Sequence, residues 1–265
     1  KCRATVRNRL IEAGLRACRP VVRHHRQQRR LWVQTHCRWT KQDWQKLLFT
    51  DKSWFCLTRS DGRICVYRRR NEHYTEACTL ERDGGGGSVF VWGCVTQHHW
   101  TELVVIAGNL NAVHYREDIL LPHVVPFLQA HPDLTLQHDN ATSHTTRSVH
   151  DLLQDRNVSV LPWPAKSPDL NPIEHVWDLL GWRVRARAIP LEIPRELAGA
   201  LVEEWGYISQ QELANLAQSM RRRCTAVLNA AGGHTRLILT PLCSGTHYSI
   251  SVSHMSGTCS VYVCC

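Results

Sequence analysis

The hydrophobic positions of the chain change their period near residue 47. Before this point, residues 5–18 repeat apolar side chains every three to five positions, which predicts a helix that Pro20 ends. After it, apolar residues run in short stretches typical of strands, with a hairpin signal at Asp61-Gly62. The stretches are "LLFTDKSWFCL" (47–57), "SVFVWGCVT" (88–96) and "TELVVIAG" (101–108). The pattern therefore predicts a sheet that begins after a helical, polar segment.

The second half of the chain alternates between helices and strands. The pattern predicts a helix over 111–132, a strand over 134–140, a helix over 143–157, a strand over 158–163 and three more helices between 171 and 233. Asn171 and Pro172 suit the N-cap and the first position of the first of these three. Strands that alternate with helices after a strand-rich block indicate an α/β fold, with a mixed sheet covered by helices.

The net charge of +9 is concentrated near the start of the sequence. Residues 1–46 hold 13 Lys and Arg against 2 Asp and Glu, which leaves 19 against 21 in the remainder. Basic side chains displace counterions from a phosphate backbone, so a basic arm on a near-neutral body indicates a nucleic-acid partner. A solvated tail without a partner is the alternative interpretation.

Composition excludes several other classes of protein. No apolar run approaches the roughly 18 residues of a membrane span, so we expect no membrane partner. The 12 cysteines are scattered and form no C-x-x-C pair, which indicates a reduced, intracellular protein without a structural zinc site. The run "DGGGGS" (83–88) lacks the Gly-Lys-Ser/Thr of a phosphate-binding loop, so we interpret it as a flexible loop.

Three acidic residues lie where an isolated carboxylate is costly. Asp51 is inside the first apolar strand, Asp139 ends a later strand, and Glu174 lies in the first turn of a helix. Strand alternation places Asp51 and Lys52 on opposite faces, so they should not form an ion pair. Taken singly, Asp139 could form only an Asx turn, and Glu174 only a capping box behind Asn171.

A bound cation would explain the three acids together. Carboxylates that lie close together repel each other unless protons or cations neutralise them. Hard oxygen ligands suit Mg²⁺ or Mn²⁺, and two such ions about 4 Å apart serve phosphodiester displacement. A basic arm beside an acidic metal site therefore predicts an enzyme that cuts or joins nucleic-acid strands.

Five segments resemble motifs of the mariner/Tc-like family of cut-and-paste DNA transposases. They are "LLFTDKSWFCL", "GGSVFVWGCVT", "LTLQHDNATSH", "VLPWPAKSPDLNPIEHVWDLL" and "SMRRRCTAVLNAAGGHTR". Between Asp139 and Glu174 lie 34 residues, the spacing of that family's DD(34)E signature. The resemblance implies an α/β, RNase H-like fold, in which a mixed five-stranded sheet is flanked by helices and preceded by a remnant helix-turn-helix.

By this resemblance, Asp51, Asp139 and Glu174 are the catalytic residues and bind two Mg²⁺ (or Mn²⁺) ions. We expect the three carboxylates to converge within reach of such a metal pair. Water would cut double-stranded DNA at a transposon end, and the freed 3′-hydroxyl would then attack a TA target. Asn140 and His144 would support the site, although Asn140 could be only a turn residue. The family also implies a homodimer that acts in the nucleus.

The resemblance divides the chain into four parts. Residues 1–20 would be the remnant of a second helix-turn-helix, 21–43 a basic linker, 44–236 the catalytic domain and 237–265 a tail foreign to the family. The recognition helix would face base edges and the linker would contact phosphates. The expected DNA contacts are Thr5, Arg7 and Asn8 in the helix and Arg23, Arg26, Arg29 and Arg30 in the linker. Any single arginine could instead only solvate its helix.

Three departures from the family pattern bear on activity. The DNA-binding region expected upstream is missing, so we expect an N-terminally truncated chain. The tail after "GGHTR" is rich in Ser, Thr and Cys, and we expect it to pack poorly. Lys52 stands where the family usually has an acid, and its field could weaken metal binding or have no effect. A DNA-binding relic with a dead site is the alternative to an active transposase.

Overall fold

A computed structural model describes residues 22–57, 87–189 and 191–235, together with the backbone of Tyr262–Cys264. The predicted recognition helix, with Thr5, Arg7 and Asn8, lies outside the described residues. The hairpin signal at Asp61-Gly62 and most of the tail 237–265 also lie outside them. The described ranges contain all three candidate carboxylates and the arginines of the predicted linker.

The sheet mixes parallel and antiparallel strands. Its strands are β1 (Leu47–Cys56), β2 (Ser88–Val95), β3 (Val104–Ile106) and β4 (Thr135–Gln137), in the spatial order β3-β2-β1-β4. β1 and β2 pair antiparallel, as do β2 and β3, whereas β1 and β4 are parallel. A short strand, β5 (Tyr262–Cys264), pairs antiparallel with the end of β1. β1 is therefore the central strand, with a neighbour on each side.

Helices surround the sheet and include one segment with π-helical turns. They are α1 (Arg23–His36), α2 (Lys41–Gln45), α3 (Ala112–His114), the π-helical segment Tyr115–Val124, α4 (Val125–Ala130), α5 (Arg147–Asp155), α6 (Ile173–Arg185), α7 (Pro194–Gly206) and α8 (Gln210–Asn229). Among the described residues, no helix combines the length and the apolar character that crossing a bilayer requires. The single long helix predicted over 111–132 is thus a continuous helical stretch whose middle turns are wider.

Two hydrophobic cores lie on opposite faces of the sheet, as strand alternation requires. Leu47 and Phe49 of β1 belong to the core that α1, α6, α7 and α8 cover. Leu48 of β1 belongs to the second core, which the helical stretch 112–130 and α5 cover. Helices therefore cover both faces, and the predicted α/β architecture with a mixed sheet is confirmed.

The prediction of a strand over 158–163 is wrong, because this segment forms no ladder of paired residues. It makes a single parallel bridge, between Val160 and Leu136. Pro162 and Pro164 have no backbone N–H to donate, so the chain cannot continue a ladder along β4 beyond this bridge. The sheet gains its fifth strand instead from β5, in a segment that the sequence did not mark as a strand.

The segment predicted as a basic linker, residues 21–43, contains α1, which packs into the main core. Trp32 and Val33 are buried there, and the Trp32 indole N–H donates to the carbonyl of Pro162 at 2.7 Å. His36 stacks on the Trp32 ring with 4.1 Å between ring centroids. A segment that reads as basic and polar therefore contributes an apolar face to the folded unit.

Candidate active site

Thr50 connects the three chain segments that carry the candidate carboxylates. Its hydroxyl donates to the carbonyl of Gln137 at 2.9 Å, and its backbone N–H donates to the Gln137 side chain at 3.3 Å. Its own carbonyl accepts from the side-chain amide of Asn171 at 3.2 Å, in the loop before α6. All three side chains are buried. Hydrogen bonds to one residue thus align β1, the end of β4 and the start of α6.

Asp51 follows Thr50 on the central strand. The parallel register pairs Phe49 with Gln137, so the same register carried two residues further places Asp51 opposite Asp139. Burial raises the pKa of Asp51 well above its ordinary value, and the negative charge of Glu174, followed by that of Asp139, raises it further. The backbone N–H of Lys52, 2.8 Å from the Asp51 carboxylate, partly opposes this shift. Asp51 therefore lies in a region of excess negative charge.

Gly93 of β2 lies opposite Asp51 across the antiparallel pair. A Cβ at this position would approach the Trp205 ring to 2.8 Å, closer than packing permits. The glycine therefore allows the stacked rings of Trp205 and Trp177, 5.3 Å apart between centroids, to reach the sheet beside Asp51. Both rings are buried and cover the sheet at this position.

Asp139 lies two residues beyond the end of β4 and is anchored through one of its two oxygens. Oδ1 lies 2.7 Å from Nδ1 of His144 and accepts from the backbone N–H of Ala141 at 3.0 Å. Burial opposes ionisation of Asp139, but His144, then Lys52 and the Ala141 N–H, outweigh it and hold its pKa well below the ordinary value. The bond from the Ala141 N–H is the Asx turn that the sequence allowed. The turn does not account for Asp139 alone, because His144 and Lys52 also contact its carboxylate.

Tyr115 and His138 lie next to the Asp139–His144 contact, and the sequence did not identify either as a site residue. Tyr115, in the π-helical segment, stacks on the His144 ring at 3.9 Å, and its hydroxyl lies 3.1 Å from Nδ1 of His138. The rings of His138 and His144 also stack, 5.3 Å apart and nearly parallel. Burial lowers the pKa of His138 to about 4, so this ring is neutral near pH 7. His138 immediately precedes Asp139, a signal that could have marked it, whereas nothing in the sequence marks Tyr115.

Glu174 lies in the first turn of α6 and is buried, with 7% of its surface exposed. The structure shifts the helix start by one residue from the expectation: the N-cap is Pro172, and Asn171 lies just before it. The Asn171 side chain bonds to Thr50 and weakly to the N–H of Ile173. No side-chain cap closes this helix end, so the capping box that could have explained Glu174 is not formed.

The structure changes the interpretation of Lys52. Its side chain starts on the face of β1 opposite Asp51, as alternation predicts, yet its ammonium lies 3.7 Å from Oδ2 of Asp139. This is possible because Asp139 follows β4 beyond its last paired residue. Lys52 therefore lies in direct ion-pair contact with one of the three carboxylates, closer than its position on the opposite face of β1 suggested.

The carboxylates of Asp51, Asp139 and Glu174 suit a hard divalent cation, although they do not yet surround a metal position. Within the described ranges, no three His, Cys, Asp or Glu side chains stand ready around a metal position, so the expected full convergence is not found. The charges of Glu174 and Asp139 nevertheless act on Asp51, and the three side chains offer only carboxylate oxygens. A cation would relieve their repulsion, and Mg²⁺ and Mn²⁺ prefer oxygen ligands. The residues fit such an ion.

Arg29 is not available to a DNA phosphate, contrary to the prediction. Its guanidinium is fully buried and makes two bonds of 2.7 Å to the carboxylate of Asp169 in the "SPDLNP" loop before α6. It also donates to the carbonyls of Gly232 and Gly233 at the end of α8, and to that of Lys166. This closed cluster, which we call the Arg29–Asp169 pair, therefore fixes the loop that leads to Glu174.

Gly232 is required at this end of α8 by its backbone. Its φ of +79° lies in the left-handed region, and a Cβ here would collide with the carbonyl of Arg26 in α1. Thr235 completes the cluster, since its N–H and hydroxyl both bond to the Asp169 carboxylate, at 2.9 and 3.0 Å. The family-like "AAGGHTR" segment thus has a structural role beside the site.

The remaining predicted residues divide between surface and scaffold. Arg23, Arg26 and Arg30 are exposed and, with Gln27 and Ala231, line a groove of about 320 Å³. Asn140 donates to the carbonyl of Trp163 at 2.8 Å, which ties the loop after β4 to the segment before α6. Asn140 therefore holds the loop that follows β4, and its supporting role in the site remains a prediction.

Comparisons with known proteins identify related sequences and structures. The model of the DDE superfamily endonucleases matches residues 46–192, which span both aspartates and the glutamate. The transposase of the transposable element Tc1 from Caenorhabditis elegans is 35% identical over 244 residues, which cover 88% of this chain and 87% of that protein.

Two solved structures of the Mos1 transposase share the fold at low sequence identity. Its catalytic domain with Raltegravir and Mg gives a TM-score of 0.62 at 17% identity, covering 82% of this chain and 100% of that one. Its mariner paired end complex with Mn gives a TM-score of 0.64 at 20% identity, covering 86% and 70%. With the family model and the Tc1 relative, this places the chain: it belongs to the DDE superfamily endonucleases and, among them, to the mariner/Tc-like transposases.

Proposed function

We propose that this chain cuts and joins double-stranded DNA in cut-and-paste transposition, with Asp51, Asp139 and Glu174 as the catalytic residues. One observation carries the assignment of the residues: the negative charges of Glu174 and Asp139 raise the pKa of Asp51 at the centre of the sheet. A fold does not retain mutually repelling carboxylates for stability, so a cationic ligand is the simplest reason for the cluster. Membership of the transposase family supports the reaction class.

In this proposal, the chain's own groups supply position and charge. β1 presents Asp51 rigidly, α6 presents Glu174 from a buried turn, and His144 holds Asp139 ionised and oriented through its Oδ1. Two divalent cations, when bound, would polarise the phosphodiester and favour attack by water and departure of the 3′-oxygen. The three carboxylates would hold the ions, as Mos1, which shares the fold, has been solved with Mg and with Mn.

Each strand cut would break one P–O bond and form another. Water would add to the phosphorus at a transposon end and release a 3′-hydroxyl, leaving a 5′-phosphate on the other fragment. That hydroxyl would then attack a phosphodiester at a TA target, so that the number of P–O bonds is conserved in both steps. The free 3′-oxygen is the leaving group of the first step and the nucleophile of the second, which lets one site serve both.

The groove of Arg23, Arg26 and Arg30 is the proposed contact to the DNA backbone. The three side chains are exposed on one helix, and exposed arginines bind phosphate oxygens without reading sequence. Base contacts by Thr5, Arg7 and Asn8 remain a prediction. Mos1 has been solved in paired-end complexes with DNA, which supports a dimer that joins two transposon ends. A protein that cuts and joins chromosomal DNA would act in the nucleus.

The test is metal-dependent cleavage by purified full chain. Supercoiled plasmid is incubated with the protein and Mn²⁺, and nicking is followed for the wild type, Asp51→Asn, Asp139→Asn and Glu174→Gln. Each carboxamide variant is expected to lose activity, because a neutral amide binds a divalent cation poorly. Asp133→Asn, an exposed change outside the site, is the matched control and is expected to nick normally.

Two results would contradict the proposal. If the three site variants nick as fast as the wild type, the catalytic assignment is wrong. If the wild type binds DNA in a salt-dependent manner without nicking it under any divalent metal, the chain is the DNA-binding relic instead.

A further inference from the structure

Lys52 is a buried ammonium without the hydrogen bonds that such a group normally makes. Its Nζ is inaccessible to solvent and has no hydrogen-bond partner among the described residues. The distance of 3.7 Å to Oδ2 of Asp139 is that of an ion pair and too long for a hydrogen bond. A charge without hydrogen bonds is costly to bury, and the partly exposed Asp139 carboxylate is the partner that attracts it here.

The two oxygens of Asp139 have different partners. Oδ1 is occupied by His144 at 2.7 Å and by the N–H of Ala141 at 3.0 Å. Oδ2 faces only the Lys52 ammonium among the contacts of the described residues. Oδ2 is therefore the oxygen that a metal ion could take without breaking the bonds that orient Asp139. Lys52 lies next to that oxygen.

We propose that Lys52 is a built-in counter-ion of the carboxylate site that competes with divalent metal for Oδ2 of Asp139. In the metal-free protein the ammonium neutralises part of the negative charge. A divalent ion that binds Oδ2 must displace this ammonium or tolerate its positive charge close by, and both reduce affinity. Lys52 thus raises the metal concentration at which the site fills. This inference rests on the proposed metal role of Asp139.

Direct metal binding tests the competition without relying on cleavage. The purified chain is freed of metal with a chelator and titrated with Mn²⁺, and free Mn²⁺ is measured by electron paramagnetic resonance. Lys52→Met removes the charge and keeps an unbranched side chain, and it is expected to bind Mn²⁺ about tenfold more tightly, or about 1.4 kcal/mol. Lys52→Arg keeps the charge and is expected to bind as weakly as the wild type.

Controls separate charge from folding and from net charge. Lys41→Met removes one positive charge from an exposed position on α2 and should leave the affinity unchanged. Near-ultraviolet circular dichroism reports whether each variant is folded, and Lys52→Gln replaces Lys52→Met if the latter is not. Asp139→Asn identifies the binding event, because Mn²⁺ bound at this site should be lost in that variant.

The outcomes distinguish this inference from the proposed function. If wild type and Lys52→Met bind Mn²⁺ with affinities within twofold, and both lose binding with Asp139→Asn, the metal site stands and the role of Lys52 is refuted. If neither protein shows binding that depends on Asp139, the proposed metal site is refuted, and the inference falls with it. Tighter binding by Lys52→Met and Lys41→Met alike would also refute the inference, since only net charge would matter.

Discussion

Two clusters of charged side chains lie near the loop before α6, and they are built in opposite ways. In the Arg29–Asp169 pair, each carboxylate oxygen and the guanidinium are fully bonded inside the protein. Around Asp51, Asp139 and Glu174, acids outnumber bases, and Nζ of Lys52 has no hydrogen bond among the described residues. The first cluster is complete by itself, whereas the second holds an excess of negative charge that a bound cation would neutralise.

This difference separates stability from function. A buried ion pair with all its hydrogen bonds fixes geometry, and breaking it leaves an uncompensated charge. A group of like charges opposes folding and is retained where chemistry needs it. The Arg29–Asp169 pair and the Asn171–Thr50 hydrogen bond both fix the loop before Glu174. The fully bonded cluster therefore helps to position the three acids of the other cluster.

The largest expected effect comes from opening the closed cluster. Arg29→Ala should lower the free energy of unfolding by about 3–5 kcal/mol, since it leaves Asp169 buried and unpaired. Arg30→Ala, its exposed neighbour on α1, should change the same quantity by less than about 0.5 kcal/mol. Urea unfolding of both variants measures the contrast.

A double variant checks the cause of that loss. Arg29→Met combined with Asp169→Leu removes both charges and should recover much of the stability lost in the single variant. Equal destabilisation by Arg29→Ala and Arg30→Ala would show that the two arginines do not differ in role.

A second prediction concerns Asp178, one turn after Glu174 on α6. Burial raises its pKa to about 6, despite the nearby positive charges of Arg185 and Arg223, and its Oδ2 has no hydrogen-bond partner among the described residues. A carboxyl whose pKa is raised on folding destabilises the protein once it is ionised. The wild type should therefore lose stability as the pH rises from about 4, the ordinary aspartate value, to about 6.

Asp178→Asn should remove this dependence on pH. The variant is expected to be more stable than the wild type by about 1–2 kcal/mol at pH 8, since partial exposure to solvent screens the charge, and equally stable near pH 4. Thermal unfolding across this range provides the measurement. A constant difference between the two proteins at all pH values would point to packing rather than to the charge.

Neutralising an acid should have opposite effects on thermal stability in the two clusters. Asp51→Asn in metal-free protein removes repulsion with Glu174 and Asp139, so the midpoint of thermal unfolding should rise. Asp169→Asn, a matched change in the closed cluster, should lower it. Differential scanning calorimetry in the presence of a chelator compares the two. A fall in both variants would mean that Asp51 has a structural role.

The smallest effect is expected at the exposed arginines. Arg26→Ala and Arg30→Ala should each weaken DNA binding a few-fold and reduce the salt slope by about 1, if each contacts one phosphate. Arg195→Ala, exposed on α7, serves as the control for lost net charge. Fluorescence anisotropy at several salt concentrations reports both quantities. An identical loss in Arg195→Ala would locate the effect in overall charge rather than in the groove.

Local pattern predicted most of the scaffold. The apolar alternation of β1 and β2 and the periodicity of α6, α7 and α8 are strong signals, because each element buries one face against its neighbours. The strand over 158–163 failed because a short apolar run beside prolines has the same pattern whether or not it pairs. The helix shift at Asn171 is the one-residue uncertainty typical of helix ends.

Long-range partners explain the errors around the site. Arg29 reads like its neighbours in "RHHRQQRR", and its partner Asp169 lies 140 positions away, so no local signal separates it from the exposed arginines. Lys52 was placed on the correct face, but its contact with Asp139 depends on where the chain runs after β4. Tyr115 lies far from His144 along the chain, so no local pattern could reveal that their rings stack. Residue type and spacing identified the acids, and tertiary structure decided their partners.

The position of bound metal tests the central claim most directly. Crystals of the wild-type chain soaked in Mn²⁺ and measured at a wavelength that excites manganese should show anomalous density about 2.1 Å from carboxylate oxygens of Asp51, Asp139 and Glu174. Manganese bound only elsewhere, with Lys52 and Asp139 still paired at saturating Mn²⁺, would contradict the account.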